Sequence, residues 1–237
     1  MNSINSDCLN DKNYVVAIDG PCATGKSTLA KQIAKRLNIT YIDTGAMYRA
    51  VGLYYITNNI ELNQENINKY INDINIDITY DRNQNMHVFL NNIDVSDNIR
   101  TSQVSKYASE VSKFLEVREK LVKIQQDMSQ SKSVVLEGRD IATVVFPNAD
   151  VKLYLTASYD VRAKRRQLDL KAKNEILDID VIKEQLKQRD YNDMNRKYSP
   201  LRKAEDAIVL DTSELTKEQE IDSAIKIINQ KIESIGK

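Results

Sequence analysis

Residues 20–27 read Gly-Pro-Cys-Ala-Thr-Gly-Lys-Ser and match the pattern G-x-x-x-x-G-K-[ST] at every position. No other segment constrains the chain as strongly. Small residues let consecutive backbone N–H groups turn toward one point, a geometry that suits a chain of phosphates. Lys26 would then reach the outer phosphates, and the Ser27 hydroxyl could ligate magnesium. The flanks agree with this reading. Residues 14–18 (YVVAI) form a short β-rich run ahead of the loop. Behind it Leu29, Ile33 and Leu37 recur four apart, with Ala30 and Ala34 beside them, which predicts one apolar helical face. Strand, loop and helix in this order aim a helix N-terminus at a bound anion. A nucleotide site is expected, but the loop alone does not separate a kinase from a GTPase or a motor ATPase.

A chain of 237 residues can hold one sizeable α/β core with a small inserted unit. Lys plus Arg and Asp plus Glu both number 34, so no net basic field would recruit long nucleic acid. The sequence has no run of 18 apolar residues and no charged-then-apolar leader, so neither membrane insertion nor export is expected. Cys8 lies in a polar tail and Cys22 inside the phosphate loop, which gives no disulfide framework and predicts a cytoplasmic, reducing setting. The single histidine, His87, cannot build a His-rich metal site and reads as a surface or pairing residue.

Residues 1–12 are polar and aperiodic and read as a flexible tail. The core, 13–237, continues with a second strand at 40–43 and a helix at 46–57. Residues 61–100 change character: a short helix at 64–71 precedes strand-like runs at 76–80 and 86–90. An Asn91-Asn92 turn follows, then 93–95, which predicts a small antiparallel unit inserted into the core. Helices are expected at 102–112, 115–128, 159–170, 180–191 and 216–235, and buried-type strands at 133–136, 151–155 and 207–210. Strands alternating with helices imply a doubly wound parallel sheet of about five strands.

Two further segments fall just after core strands, where open α/β sheets bind ligands. Asp43-Thr44-Gly45-Ala46-Met47-Tyr48-Arg49 joins a flexible backbone point to an arginine whose fork of donors could hold an acceptor phosphate. Glu137-Gly138-Arg139-Asp140 offers two carboxylates and an arginine to magnesium, phosphate or a base. Arg162, Lys164, Arg165 and Arg166 cluster on one predicted helix, where a mobile flap could close over donor phosphates. Arg189 and Asp193 are four apart on one predicted face, and Arg196, seven from Arg189, extends the stripe. Taken singly, each group also fits a solvated charge or a structural ion pair. Several arginines converging on one phosphate cradle would suit phosphoryl transfer.

Read in order, these passages resemble the bacterial cytidylate kinases, within the nucleoside monophosphate kinase group. The resemblance is carried by G-P-C-A-T-G-K-S-T (20–28), D-T-G-A-M-Y-R (43–49), V-R-E-K-L (117–121) and G-R-D-I-A-T-V-V-F-P-N-A (138–149). It continues through R-A-K-R-R (162–166), R-D-Y-N-D-M-N-R (189–196) and S-P-L (199–201). It implies a P-loop NTPase-like fold, an NMP-binding insert at 61–100 and a helical lid at 162–180. ATP would lie on Gly20, Pro21, Cys22, Ala23, Thr24, Gly25, Lys26, Ser27 and Thr28, with Arg165 and Arg166 reaching it from the lid and magnesium on Ser27. Arg49, Arg139 and Arg196 would surround the acceptor phosphate or the group in transit, Arg189 and Asp193 the sugar and phosphate side, with Thr44 nearby. Ser109, Arg118 and Asp140 would read cytosine, and Lys26, Arg139, Arg189, Asp193 and Arg196 would carry the transfer. Five positions depart from the family: Ala142 where glycine is commoner, Glu137 where aspartate is, and Cys22, Ala23 and Thr24 within the loop.

The implied substrates are ATP and CMP or dCMP, and the chain is expected to act as a cytoplasmic monomer. An acceptor phosphate, with a second pKa of about 6, would need no general base. Acceptor binding is expected to draw in the insert and the lid. Competing readings are a kinase for UMP, AMP or a hydroxyl acceptor, a nucleotide-dependent switch, and a nucleic-acid binder. The last is disfavoured by neutral charge and the lack of aromatic stacking motifs.

Overall fold

A computed structural model describes residues 13–172 and 174–235. Expectations for the tail and Cys8 lie outside these residues. The chain begins with β1 (Val15–Asp19), whose last four residues are buried. The phosphate loop follows and delivers the chain into α1 (Lys26–Leu37). Helix α1 ends where Asn38 turns left-handed (φ 53°) and its N–H bonds the Ala34 carbonyl, with Lys35 and Arg36 in the last turn complementing the helix dipole. Strand β2 (Thr40–Asp43) leads directly into α2 (Thr44–Thr57), because the Asp43 side chain accepts from Ala46 N–H as an N-cap. That cap starts the helix two residues earlier than periodicity suggested.

The inserted unit contains α3 (Gln64–Tyr70), a 3₁₀ turn at Ile71–Asp73, β3 (Ile76–Tyr80), β4 (Met86–Leu90) and β5 (Ile93–Asp94). These three strands form a separate antiparallel sheet in sequence order. Asn91 and Asn92, at φ 49° and 68°, supply the two positive angles that a two-residue hairpin turn requires. His87 on β4 pairs with Asp94 at 2.9 Å.

After a 3₁₀ turn at Asn98–Arg100 come α4 (Ser102–Val111) and α5 (Leu115–Asp127). Strand β6 (Val134–Gly138) is buried throughout and runs two residues past the end of the apolar run, so Glu137 and Gly138 belong to the strand itself. A π-helical turn at Ile141–Val145 leads to β7 (Val151–Thr156). The chain closes with α6 (Tyr159–Lys171), α7 (Ile179–Asn195), β8 (Ile208–Asp211) and α8 (Lys217–Ile235). The main sheet is parallel throughout, in the order β2-β6-β1-β7-β8.

Two apolar clusters cover the faces of the doubly wound sheet. One packs α1 and α8 residues Leu29, Ile33, Ile221 and Ile228 on Val16, Ile18, Val135 and Leu153. The other packs α2, α5 and the inserted unit on Ala17, Ile42 and Leu136. With β1 and β6 central, the C-terminal ends of β1, β2 and β6 open side by side and carry Asp19, Asp43 and Glu137 to one edge.

Gly20 marks the exit from β1. Its φ is 149°, and a Cβ there would stand 2.1 Å from the Leu155 carbonyl oxygen of β7. Backbone, not a flexible side chain, blocks that space. Gly20→Ala is expected to lower stability by roughly 3–5 kcal/mol, with a reduced urea midpoint at unchanged m-value as the readout.

Candidate active site

The loop curls around a cleft of about 350 Å³ that opens at the C-terminal edge of the sheet. Ala23 (φ 60°) and Gly25 (φ 99°) take left-handed angles and set the curl. Thr24 Oγ1 donates to the Pro21 carbonyl, closing the turn at 3.2 Å. Lys26 Nζ folds back to the same carbonyl at 2.6 Å, with Thr24 Oγ1 at 3.4 Å. Burial, and then the neighbouring Arg139, pull its pKa down to about 7. A phosphate chain entering the cleft would offer this ammonium the negative charge it lacks. Ser27 and Thr28 also line the cleft, and Ser27 Oγ donates to Glu137 Oε1 at 2.7 Å.

Acidic groups gather at the strand ends. Burial, and then Asp43, push the Glu137 carboxyl above its ordinary value. The Ser27 hydroxyl beside this crowded carboxylate is a hard-oxygen donor set suited to magnesium, which takes few protein ligands and keeps several waters. Thr44 Oγ1 donates to the Glu137 carbonyl at 2.7 Å, tying the start of α2 to β6. Arg49 donates to Asp43 at 2.8 Å, and Asp43 is held below its usual range, against burial, by that guanidinium. Gly45 keeps this pair close, since a Cβ there would meet both Arg49 Nη1 and Asp43 Oδ1 within 3.2 Å.

The far wall is an ion-pair lattice. Asp140 receives Arg118 on one oxygen and Arg196, at 3.3 Å, on the other. All three side chains are almost wholly buried. Arg118 Nη1 also donates to the Ser112 carbonyl at 3.3 Å, and its guanidinium lies 5.4 Å from the centre of the Tyr48 ring. Arg139 Nε donates to Asp193 at 2.8 Å. Against burial, Arg139 and Arg189 hold Asp193 below the ordinary carboxylate range. Ser109 and Arg166 line the same space. Arg189 lines it too, and its buried Nε has no hydrogen-bond partner. Four arginines from distant stretches, Arg49, Arg139, Arg189 and Arg196, thus meet in one cleft beside the phosphate loop.

Several placements differ from the sequence reading. Arg196 is not on the helical stripe: α7 ends at Asn195, and Arg196 turns extended (ψ 146°) before reaching Asp140. Arg162 does not face the cleft as part of a flap; it is buried against Asp190 and the Cys22 carbonyl. Arg165 donates to the Thr24 carbonyl and to Thr212, bracing the loop from outside. Arg118, expected among the base-reading residues, is 2% exposed and lines the cleft.

Other residues escaped sequence reasoning. Tyr48 lines the cleft, its hydroxyl pKa pushed by burial to about 12. Asp19 accepts from the N–H groups of Ile141 and Ala142 at 2.9 and 2.8 Å, pinning the turn that follows Asp140. Burial drives its pKa to about 6, against those two bonds. A lone Asp between a buried strand and the first loop glycine is the only signal for it. At Ala142, the amide rather than the missing glycine freedom is what this turn uses.

The site's geometry agrees with what the chain is similar to. The cytidylate kinase family profile matches residues 16–230. A cytidylate kinase of Caldicellulosiruptor saccharolyticus is 48% identical over 217 residues, covering 91% of this chain and 96% of that one. A cytidylate kinase of Fusobacterium nucleatum is 46% identical over 224 residues, covering 94% and 99%. Among solved structures, an uncharacterized protein of Eubacterium ventriosum aligns over 92% of this chain and 99% of its own at a TM-score of 0.52. At 13% identity, that last likeness is one of fold alone. A family match spanning nearly all of the parallel sheet, the phosphate loop and the arginine-lined cleft places this chain in the cytidylate kinase family.

Proposed function

We propose that this chain transfers the γ-phosphoryl group of ATP to CMP or dCMP, giving ADP and CDP or dCDP, in pyrimidine nucleotide metabolism. The observation that carries the reading is one cleft holding a phosphate loop on one wall and the Arg118–Asp140–Arg196 lattice on the other. ATP binds residues Gly20 to Thr28, with Lys26 on the outer phosphates and Arg166 from the lid side, while Arg165 supports the loop from behind through Thr24. Ser27, beside Glu137, would hold magnesium, which would offset phosphate charge. Arg49, Arg139 and Arg196 take the acceptor phosphate and the group in transit, while Arg189 and Asp193 hold the sugar side and Thr44 supports the pocket floor.

Ser109, Arg118 and Asp140 read the base. Cytosine offers an amino donor to the Asp140 carboxylate and acceptors to the Arg118 guanidinium. Uracil sets a carbonyl against that carboxylate and leaves polar groups unpaired. The acceptor phosphate is already mostly ionised near neutral pH, so the site's lack of a histidine is no obstacle. Positioning, charge neutralisation and exclusion of water supply catalysis. The insert at 61–100 and the lid at 162–180 close over the acceptor and donor.

The equal numbers of acidic and basic residues fit small-molecule partners and a monomer rather than long nucleic acid. Among the described residues no helix is long and apolar enough to cross a membrane, in keeping with a cytoplasmic enzyme. A nucleotide-dependent switch would have no use for the acceptor-side arginines. A coupled assay with CMP, dCMP, UMP, AMP and shikimate tests the reading. The highest kcat/KM is expected for CMP or dCMP; a larger value for any other acceptor overturns it.

A further inference from the structure

Behind the phosphate loop, two buried side chains hold both backbone polar groups of Cys22. Asp190 Oδ1 accepts from the Cys22 N–H at 3.1 Å. Asp190 Oδ2 accepts from Arg162 Nη1 at 2.6 Å, and the same nitrogen donates to the Cys22 carbonyl at 3.0 Å. Both side chains are about 95% buried, and the Tyr159 ring covers the Arg162 guanidinium at 4.2 Å. Cys22 and Ala23 also pack against Ala163, Leu170, Ile182 and Leu186, the apolar seam between α6 and α7. The donor loop is therefore fastened to this helix pair as well as to β1, which precedes it in the chain.

The fastening point on α7 matters. Asp190 directly follows Arg189 and stands three before Asp193, and both of those neighbours line the cleft. Loop curvature begins immediately after Cys22, with Ala23 and Gly25 in left-handed conformations. A tilt of α7 that brings Arg189 and Asp193 onto an acceptor must pull on the Cys22 peptide, and so on the curl that cradles the donor. Two sites are coupled when ligands at both bias one shared element.

We propose that Asp190 and Arg162 are positioning residues that make donor and acceptor binding cooperative, by clamping residue 22 of the donor loop to the helix that holds the acceptor. Neither residue touches a substrate. The inference rests on the proposed function.

Titration calorimetry on the full chain tests it. The Kd for CMP is measured alone and with saturating magnesium β,γ-methylene-ATP. In the parent protein the analogue is expected to tighten CMP on the order of 10-fold. Asp190→Asn keeps the side-chain volume and the acceptor for Cys22 N–H but removes the charged partner of Arg162. Its ratio is expected to fall to within about twofold of unity, while Kd for CMP alone shifts by less than about threefold. Because Asp190→Asn leaves a buried arginine unpaired, the double variant Arg162→Leu/Asp190→Leu removes both charges together and is expected to give the same lost ratio. A merely structural role would weaken both ligands and leave the ratio intact. A parental ratio in either folded variant overturns the inference, as does a double variant that cannot fold. A parent that binds both nucleotides with no ratio overturns it and leaves the function standing; a parent that binds neither overturns the function as well.

Discussion

Lys26→Ala is expected to lower kcat by roughly 10³-fold, the loss found when one transition-state charge donor is removed. The ammonium is tethered to the Pro21 carbonyl and Thr24 hydroxyl, both parts of its own loop. Burial beside Arg139 already disfavours its charge. Its removal therefore deletes no core contact and relieves a desolvated cation. The melting temperature should stay near the parent's, and the effect should lie in turnover. Single-turnover phosphoryl transfer with CMP separates the two quantities. Transfer at the parental rate in this variant would refute the donor site.

The second large effect is expected at Asp140. Asp140→Ala should erode the ratio of kcat/KM for CMP over UMP by roughly 10²-fold, since the carboxylate that accepts the cytosine amino group is gone. It should also cost stability, because Arg118 and Arg196 are left buried without their shared partner, a loss of about 3–5 kcal/mol. Asp140→Asn separates these consequences. Its carboxamide oxygen can still accept from one arginine, whereas its amino group can turn toward the uracil carbonyl. Preference should fall in both variants and stability mostly in the first. Equal CMP:UMP ratios in parent and Asp140→Asn would show that another group reads the base.

Much of this arrangement was legible in the chain. The phosphate loop is a local pattern, and its flanks obey the strand and helix periods, so α1 and β1 follow from short-range chemistry. The two-asparagine turn and the β3–β4–β5 alternation are likewise local, and their strands fall where the sequence puts them. Charged partners were not legible. Spacing assigns Arg189 and Asp193 to one face, but it does not say that Asp193 meets Arg139, 54 positions away. Nor does it show that Arg196 leaves the helix, because its seven-residue offset from Arg189 looks periodic either way. Arg162 sits in a basic run that reads as solvated. The structure turns it inward, beside buried Ala163 on the same turn of α6. Asp19 was hidden for a similar reason: its partners are backbone amides more than 120 positions away, which no side-chain pattern encodes.

The antiparallel sheet has no hydrophobic interior of its own. Ile76, Val88 and Leu90 belong to the same apolar mass as Met47, Val51 and Tyr55 of α2 and Leu136 of the central sheet. The Tyr80 hydroxyl, at the end of β3, donates to the Tyr41 carbonyl of β2 at 2.7 Å. This module is thus no detachable cassette. Excising it would strip oil from α2 and expose the scaffold that carries Arg49, and any swing it makes must take α2 along. Grafting a foreign acceptor pocket onto this enzyme would accordingly mean redesigning one whole side of its interior, not exchanging a loop.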